Sequence, residues 1–192
     1  PEDMDEAIRV LNKYAPGLHF AMADNKYSFR KYNNVRDVCI ALRQPIGQED
    51  FDLRHKTNYI TTYYVCCSTH FPNTLTYSQP FEAELLPWLS LAKGFDGMLR
   101  WAYNSWPENP QYDSRYGNWS SADTYLVYPY NRSSIRFERL IDGIEVAEKV
   151  RALRKAGVDT SEVEAALDKI RATNLNDSQQ PWQQIVAEAR EA

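Results

Sequence analysis

Phosphate-cradling glycine turns, paired metal-ligand motifs, a basic face and a long apolar run are all missing from this sequence, and each absence removes a class of function. No strand-like segment is followed by a Gly-rich turn, which argues against an open nucleotide-binding sheet. The three cysteines, Cys39 and the neighbours Cys66 and Cys67, are odd in number and form no CxxC. That pattern supports neither a zinc site nor a disulfide framework. His19, His55 and His70 lie far apart, so neither a metal nor any other cofactor is expected. The net charge is −4, with basic residues scattered among acidic ones, so no positive field is available for a phosphate backbone and nucleic acid is not an expected partner. No apolar run approaches the roughly 20 residues of a membrane helix. A membrane partner is not expected either. The chain opens on Pro1 without a charged and apolar leader, and is read as a processed or excised piece of a longer protein.

Aromatic residues are what the chain has in plenty. They make up 13% of its 192 residues, with thirteen Tyr and five Trp, concentrated between positions 59 and 130. The stretch from Gly94 to Pro107 runs a short apolar segment into a loop bearing Trp101, Tyr103 and Trp106. Rings so spaced fit either a core or a wall for a sugar, whose C–H faces stack on aromatics while its hydroxyls meet fixed polar groups such as Asn104.

Apolar spacing predicts a helix over 4–14, stopped by Pro16-Gly17, and a buried strand over 18–23. Further strands are expected over 37–42, 60–66, 97–101 and 123–128, with a weak helix over 48–58. Pro80 suits the first turn of a helix running to about Ala92, in which Pro87 should produce a bend or a delayed start. Ser133-Ser134 should cap a long helix carrying a stripe of Phe137, Leu140, Ile141, Ile144 and Ala147 up to Gly157. Ser161 and Glu164 have capping-box spacing, and a polar linker over 173–180 precedes a last helix opened by Pro181. Helices alternating with apolar strands argue for parallel β/α units.

If the first four strands belong to a β/α barrel, their C-terminal ends carry Asp24-Asn25, Arg43, Tyr64 to Cys67 with the loop to Asn73, and Arg100 to Trp106. Four strands make half a barrel with two raw edges. Either the rest of a parent chain or a second copy must cover them. Glycoside hydrolysis needs acid and base groups, usually two carboxylates. Asp24, Asp96, Asp113 and Asp123 are the candidates, although Asp96 precedes its strand and Arg100 can pair with a core carboxylate.

The segments Thr62-Tyr-Tyr-Val-Cys66, Phe71-Pro-Asn73, Gly94 to Trp106, Asp123-Thr-Tyr-Leu-Val-Tyr-Pro129 and Arg132-Ser-Ser-Ile-Arg-Phe-Glu-Arg-Leu140 occur in that order. Together, across about residues 1–154, they resemble the C-terminal half of the catalytic domain of glycoside hydrolase family 123, the β-N-acetylgalactosaminidases and their relatives. The resemblance implies the C-terminal half of a (β/α)8 TIM-type barrel over 1–130, with C-terminal helices over 131–192 packed on it. It implies removal of a terminal β-linked N-acetylhexosamine, N-acetylgalactosamine foremost, by a substrate-assisted retaining mechanism. An adjacent Asp-Glu pair serves that chemistry in the family, the Asp orienting the acetamido group and the Glu protonating the leaving oxygen. Glu2-Asp3 has the reverse order and opens a helix, as acidic residues do for the helix dipole. The pair is therefore expected just upstream of Pro1. The fragment alone should be inactive.

By the same resemblance Tyr64 donates a hydrogen bond near the acetamido group, Trp101, Tyr103 and Trp106 stack on or fence the sugar, and Asn73 and Asn104 meet its hydroxyls. The family implies a secreted or periplasmic place. Two departures stand out, since the family has Gly where this chain has Ala122, and Gly-Gly where it has Tyr130-Asn131. Two other readings stay open. One is a noncatalytic carbohydrate-binding or scaffold domain of the same fold. The other is an unrelated α/β protein with an aromatic core, which requires Trp101 and Trp106 to be fully buried.

Overall fold

A computed structural model describes residues 2–32, 34–172 and 181–192, so the expected polar linker over 173–180 lies outside the described residues. The chain divides into two compact units, residues 1–62 and 63–192. Four strands, β1 (Phe20–Ala23), β2 (Val35–Ala41), β3 (Ile60–Tyr64) and β4 (Gly97–Met98), follow in that order across one parallel sheet, and the unit boundary falls inside β3. Among the described residues there are six α-helices, and none is long and apolar enough to cross a membrane.

In the first unit, α1 (Glu2–Tyr14) ends two residues before Pro16, as the spacing predicts. β1 pairs with β2 in parallel. The expectation of a buried first strand is corrected, because Phe20 and Met22 are half-buried while Ala21 and Ala23 are exposed. It is an edge strand of the sheet, paired on one side only among the described residues. The charged segment at 48–58 does form a helix, α2 (Gln48–Lys56). Its Arg54 is buried and ties strand starts together. Nε donates to Thr61 Oγ1 at 2.7 Å, and the terminal nitrogens donate to the carbonyls of Val35, Arg36 and Ile60 at 3.2, 2.8 and 2.7 Å.

The second unit is built around α3 (Pro80–Lys93), whose Leu85, Leu86, Trp88 and Leu89 are all buried. A helix apolar on nearly every side belongs in a core. Pro87 does not delay its start, which stays at Pro80. Ser134 caps α4 (Ile135–Lys155), its side chain accepting from the Phe137 N–H. The buried residues of α4 are Arg136, Leu140, Gly143, Ala147 and Val150 rather than the full expected stripe, and Ile144 is partly exposed. Gly143 explains how closely α4 approaches α3, since a Cβ there would lie 2.5 Å from the Glu84 carbonyl and 3.1 Å from the Pro87 ring. α5 (Ser161–Ala172) and α6 (Trp182–Glu191) bury Leu167, Ile170 and Trp182 in the same unit. The Ser161–Glu164 capping box does not form. The Ser161 N–H donates to Asp159 Oδ1 at 3.0 Å, and Glu164 pairs with Arg154 at 2.6 Å.

Two expected strands are corrected. β4 stops at Met98 instead of Trp101, and residues 123–128 form turns with isolated antiparallel bridges, Asn104 to Tyr125 and Tyr128 to Arg132. Arg136, which is buried, gathers the turns there, taking the carbonyls of Thr74, Ala122 and Tyr125 at 2.5, 3.3 and 3.0 Å.

Candidate functional site

The site is built where β3 and β4 end, within the second unit. The Leu99 N–H donates to the Tyr63 carbonyl at 2.8 Å, which sets the two strand ends side by side. Tyr63 is fully buried against α3, its hydroxyl donating to the Leu86 carbonyl at 2.6 Å. Burial pushes that phenol far above its ordinary pKa, so it stays protonated. Successive strand residues face opposite ways, so Tyr64, which is half-buried, points away from α3. That is the face on which a ligand can sit.

Arg100 anchors the segment after β4. Its side chain is only 5% exposed and donates to the Val65 carbonyl at 3.0 Å, to Asp123 Oδ1 at 3.1 Å and to the Asp123 carbonyl. Asp123 Oδ2 in turn accepts the Cys67 N–H at 3.2 Å. One buried ion pair therefore joins the end of β3, the end of β4 and the segment after the aromatic loop. Burial pushes the Arg100 pKa down, and the Asp123 charge partly opposes that push.

Trp101, Tyr103 and Trp106 are 42%, 45% and 36% exposed, so the core-only reading of these rings fails. They do not form one continuous wall, because each has a different neighbour. Trp101 lies against Trp119, with centroids 4.9 Å apart and planes at 45°. Tyr103 meets Phe137 edge-on at 5.7 Å and lines an apolar cavity of about 320 Å³ with Pro87, Met98, Leu126 and Leu140. Trp106 is fixed through its Nε1, which donates to the Val127 carbonyl at 2.7 Å. Asn104 is held by its backbone bridge to Tyr125 and is exposed, with no side-chain partner among the described residues.

Asn73 is corrected. It is fully buried, and its amide is spent inside the protein. Nδ2 donates to the carbonyls of Cys66 and Thr69 at 2.9 and 2.6 Å, and Oδ1 accepts the Thr74 N–H at 2.7 Å. It staples the loop after β3 and has no donor left for a sugar hydroxyl.

The carboxylates resolve one by one. Asp123 belongs to the buried pair. Asp113 chelates Arg115 at 2.8 and 2.6 Å, and that guanidinium holds its pKa down at about 2, the reverse of what a general acid needs. At the β4 entrance, Asp96 offers its carbonyl to Arg151 at 3.0 Å. In the first unit, burial tends to raise the pKa of Asp24, but hydrogen bonds from the Ser28 and Lys26 N–H groups outweigh it and leave the carboxyl low. An Asp-Glu dipeptide does occur within the chain, at Asp5-Glu6, but it sits on exposed α1 rather than at a strand end. Asp5 binds Lys31 at 2.7 Å and Glu6 binds Arg9 at 2.6 Å, and these bonds hold both carboxyls low. Neither is an acid poised to protonate a leaving group. Among the described residues no group of three or more His, Cys, Asp or Glu is placed to hold a metal.

Trp119 is the residue that sequence reasoning missed. Its only linear signal is membership of the aromatic-rich loop. Contact with Trp101 across 18 positions is a tertiary fact.

A sequence model of the glycoside hydrolase 123 catalytic domain matches residues 1–153. No curated protein matches the chain. Among solved structures, the chain is similar to a family 123 glycoside hydrolase from Clostridium perfringens, described for the details of glycolipid glycan hydrolysis. The TM-score is 0.77 at 23% identity, covering 97% of this chain and 37% of that one. The likeness is one of fold, and the chain spans 37% of that relative's length.

Proposed function

This chain belongs to glycoside hydrolase family 123, and from that premise we propose that it is the substrate-shaping half of an enzyme releasing terminal β-linked N-acetylhexosamine, N-acetylgalactosamine foremost. Its sheet is the C-terminal half of a (β/α)8 barrel, and the remaining strands come from the rest of the parent chain. The reaction is substrate-assisted and retaining. The acetamido oxygen attacks the anomeric carbon as the bond to the leaving oxygen breaks, a proton passes to that oxygen, and water then opens the cyclic intermediate. The orienting Asp and the proton-donating Glu are supplied from upstream of residue 1. The state of this chain's own carboxylates supports that reading, since each that could serve is ion-paired, hydrogen-bonded within its own loop or at the wrong end of its strand.

What this half contributes is shape. The observation that carries the reading is the row of half-exposed rings immediately after β4, anchored by the Arg100–Asp123 pair. Tyr64, on the face turned away from α3, donates to the acetamido oxygen. Trp101 and Trp106 fence the sugar, and Asn104 is open to a hydroxyl. Tyr103, which lines the cavity beside α3 with Phe137, is not part of that fence.

The test is release of nitrophenol by the full-length protein from β-N-acetylgalactosaminide and β-N-acetylglucosaminide, beside Tyr64→Phe. Turnover by the wild type is expected, with kcat lowered on the order of 100-fold in the variant, as for a nucleophile held out of its attacking position. No release from either glycoside would favour a noncatalytic carbohydrate-binding domain.

A further inference from the structure

The exposed Trp101–Trp119 pair points beyond the terminal sugar. Trp119 closes a tight turn in which its N–H donates to the Tyr116 carbonyl at 3.2 Å around Gly117, whose φ of +58° suits glycine. The turn presents the ring against Trp101, yet both stay largely open, at 42% and 47% exposed. Among the described residues neither indole N–H has a partner, whereas the Trp106 indole is tied to Val127. Two half-exposed indoles with open donors suit a sugar ring, which supplies both a C–H face and hydroxyl acceptors.

The geometry then selects the ligand. Rings 4.9 Å apart and tilted by 45° cannot both lie flat on one pyranose. They can each take one of two consecutive sugars, whose planes are also tilted about the linkage. Trp101 follows Arg100 directly and so is anchored at the strand end, where Arg100 binds the Val65 carbonyl. Trp119 stands farther out on the loop. We propose that Trp119 is a specificity-determining residue that stacks on the sugar at the leaving-group side of the cleaved bond, so that the enzyme prefers a saccharide to a small alkyl aglycone. This rests on the glycosidase reading and extends it.

The test compares kcat/KM of the full-length protein on a β-N-acetylgalactosamine-terminated disaccharide and on the methyl β-glycoside of the same sugar. Trp119→Ala should lower the disaccharide value at least tenfold through KM and change the methyl glycoside less than twofold. Trp119→Tyr should restore most of the disaccharide activity. Trp119→Leu, which keeps apolar contact with Trp101 but has no stacking face, should show the same selective loss as alanine. Equal losses on both substrates would mean that Trp119 only props Trp101, and no loss on either would mean that it touches no ligand. Both results overturn the proposal. A wild type inactive on both substrates, and on the nitrophenyl glycosides, would instead overturn the glycosidase reading itself.

Discussion

Replacing Asp123 with Ala strips the counter-charge from Arg100, whose side chain is 5% exposed and cannot reach water without opening the end of the sheet. The guanidinium would keep only the neutral carbonyls of Val65 and of residue 123, its Nε already lacks a partner, and the Cys67 N–H would lose its acceptor. Breaking a buried pair from one side costs about 3–5 kcal/mol, because the remaining charge stays buried. For a chain of this size each kcal/mol moves Tm by about 2–4 °C, so a fall on the order of 10 °C is expected. Removing both charges together should be far milder. Arg100→Met with Asp123→Leu leaves no orphaned charge and should lose less than about 2 kcal/mol. The assay is thermal and urea unfolding of the full-length protein, of Asp123→Ala, and of Arg100→Met, Asp123→Leu and their double variant, the last three forming a double-mutant cycle with the wild type. An Asp123→Ala loss below about 1 kcal/mol, or a double variant that loses the sum of the two singles, would refute the argument that the pair is coupled and dry.

Two further outcomes follow from backbone geometry. Gly143→Ala should destabilise by about 1–3 kcal/mol in urea unfolding despite the better helix propensity of alanine, because the added methyl meets the Glu84 carbonyl and the Pro87 ring. Tyr130→Gly should leave stability unchanged or raise it by up to about 1 kcal/mol in the same assay, since Tyr130 is exposed and held at a φ of +62°, where a side chain is strained. A clear loss there would show that the ring makes a contact the structure does not contain.

The departures from the family pattern now have a physical meaning. Ala122, Tyr130 and Asn131 all adopt positive φ, at 58°, 62° and 57°. The resemblance puts glycine at those positions, and here other residues hold the left-handed backbone that favours it. Apart from that resemblance the sequence does not announce the turn, because backbone sign there depends on where the flanking carbonyls must go. Here they go to Arg136 and to the Tyr128–Arg132 bridge.

Helices α1, α3 and α4, their proline and serine starts, and the alternation of helix with strand were legible from spacing and caps alone. Such features depend on neighbours within about four residues. The family, too, was legible, through five ordered segments that fall within residues 1–153. What only tertiary structure decided were the pairings of side chains. Asn73 reads as a ligand and is a loop staple, Asp123 reads as a possible acid and is the partner of Arg100, and Tyr103 turns to Phe137 while Trp101 turns to Trp119. A polar or aromatic side chain can meet solvent, ligand or protein with similar local propensity. For the rings and the ion pair, which one it meets is set by partners 18 to 34 positions away, and that distance carries no sequence period.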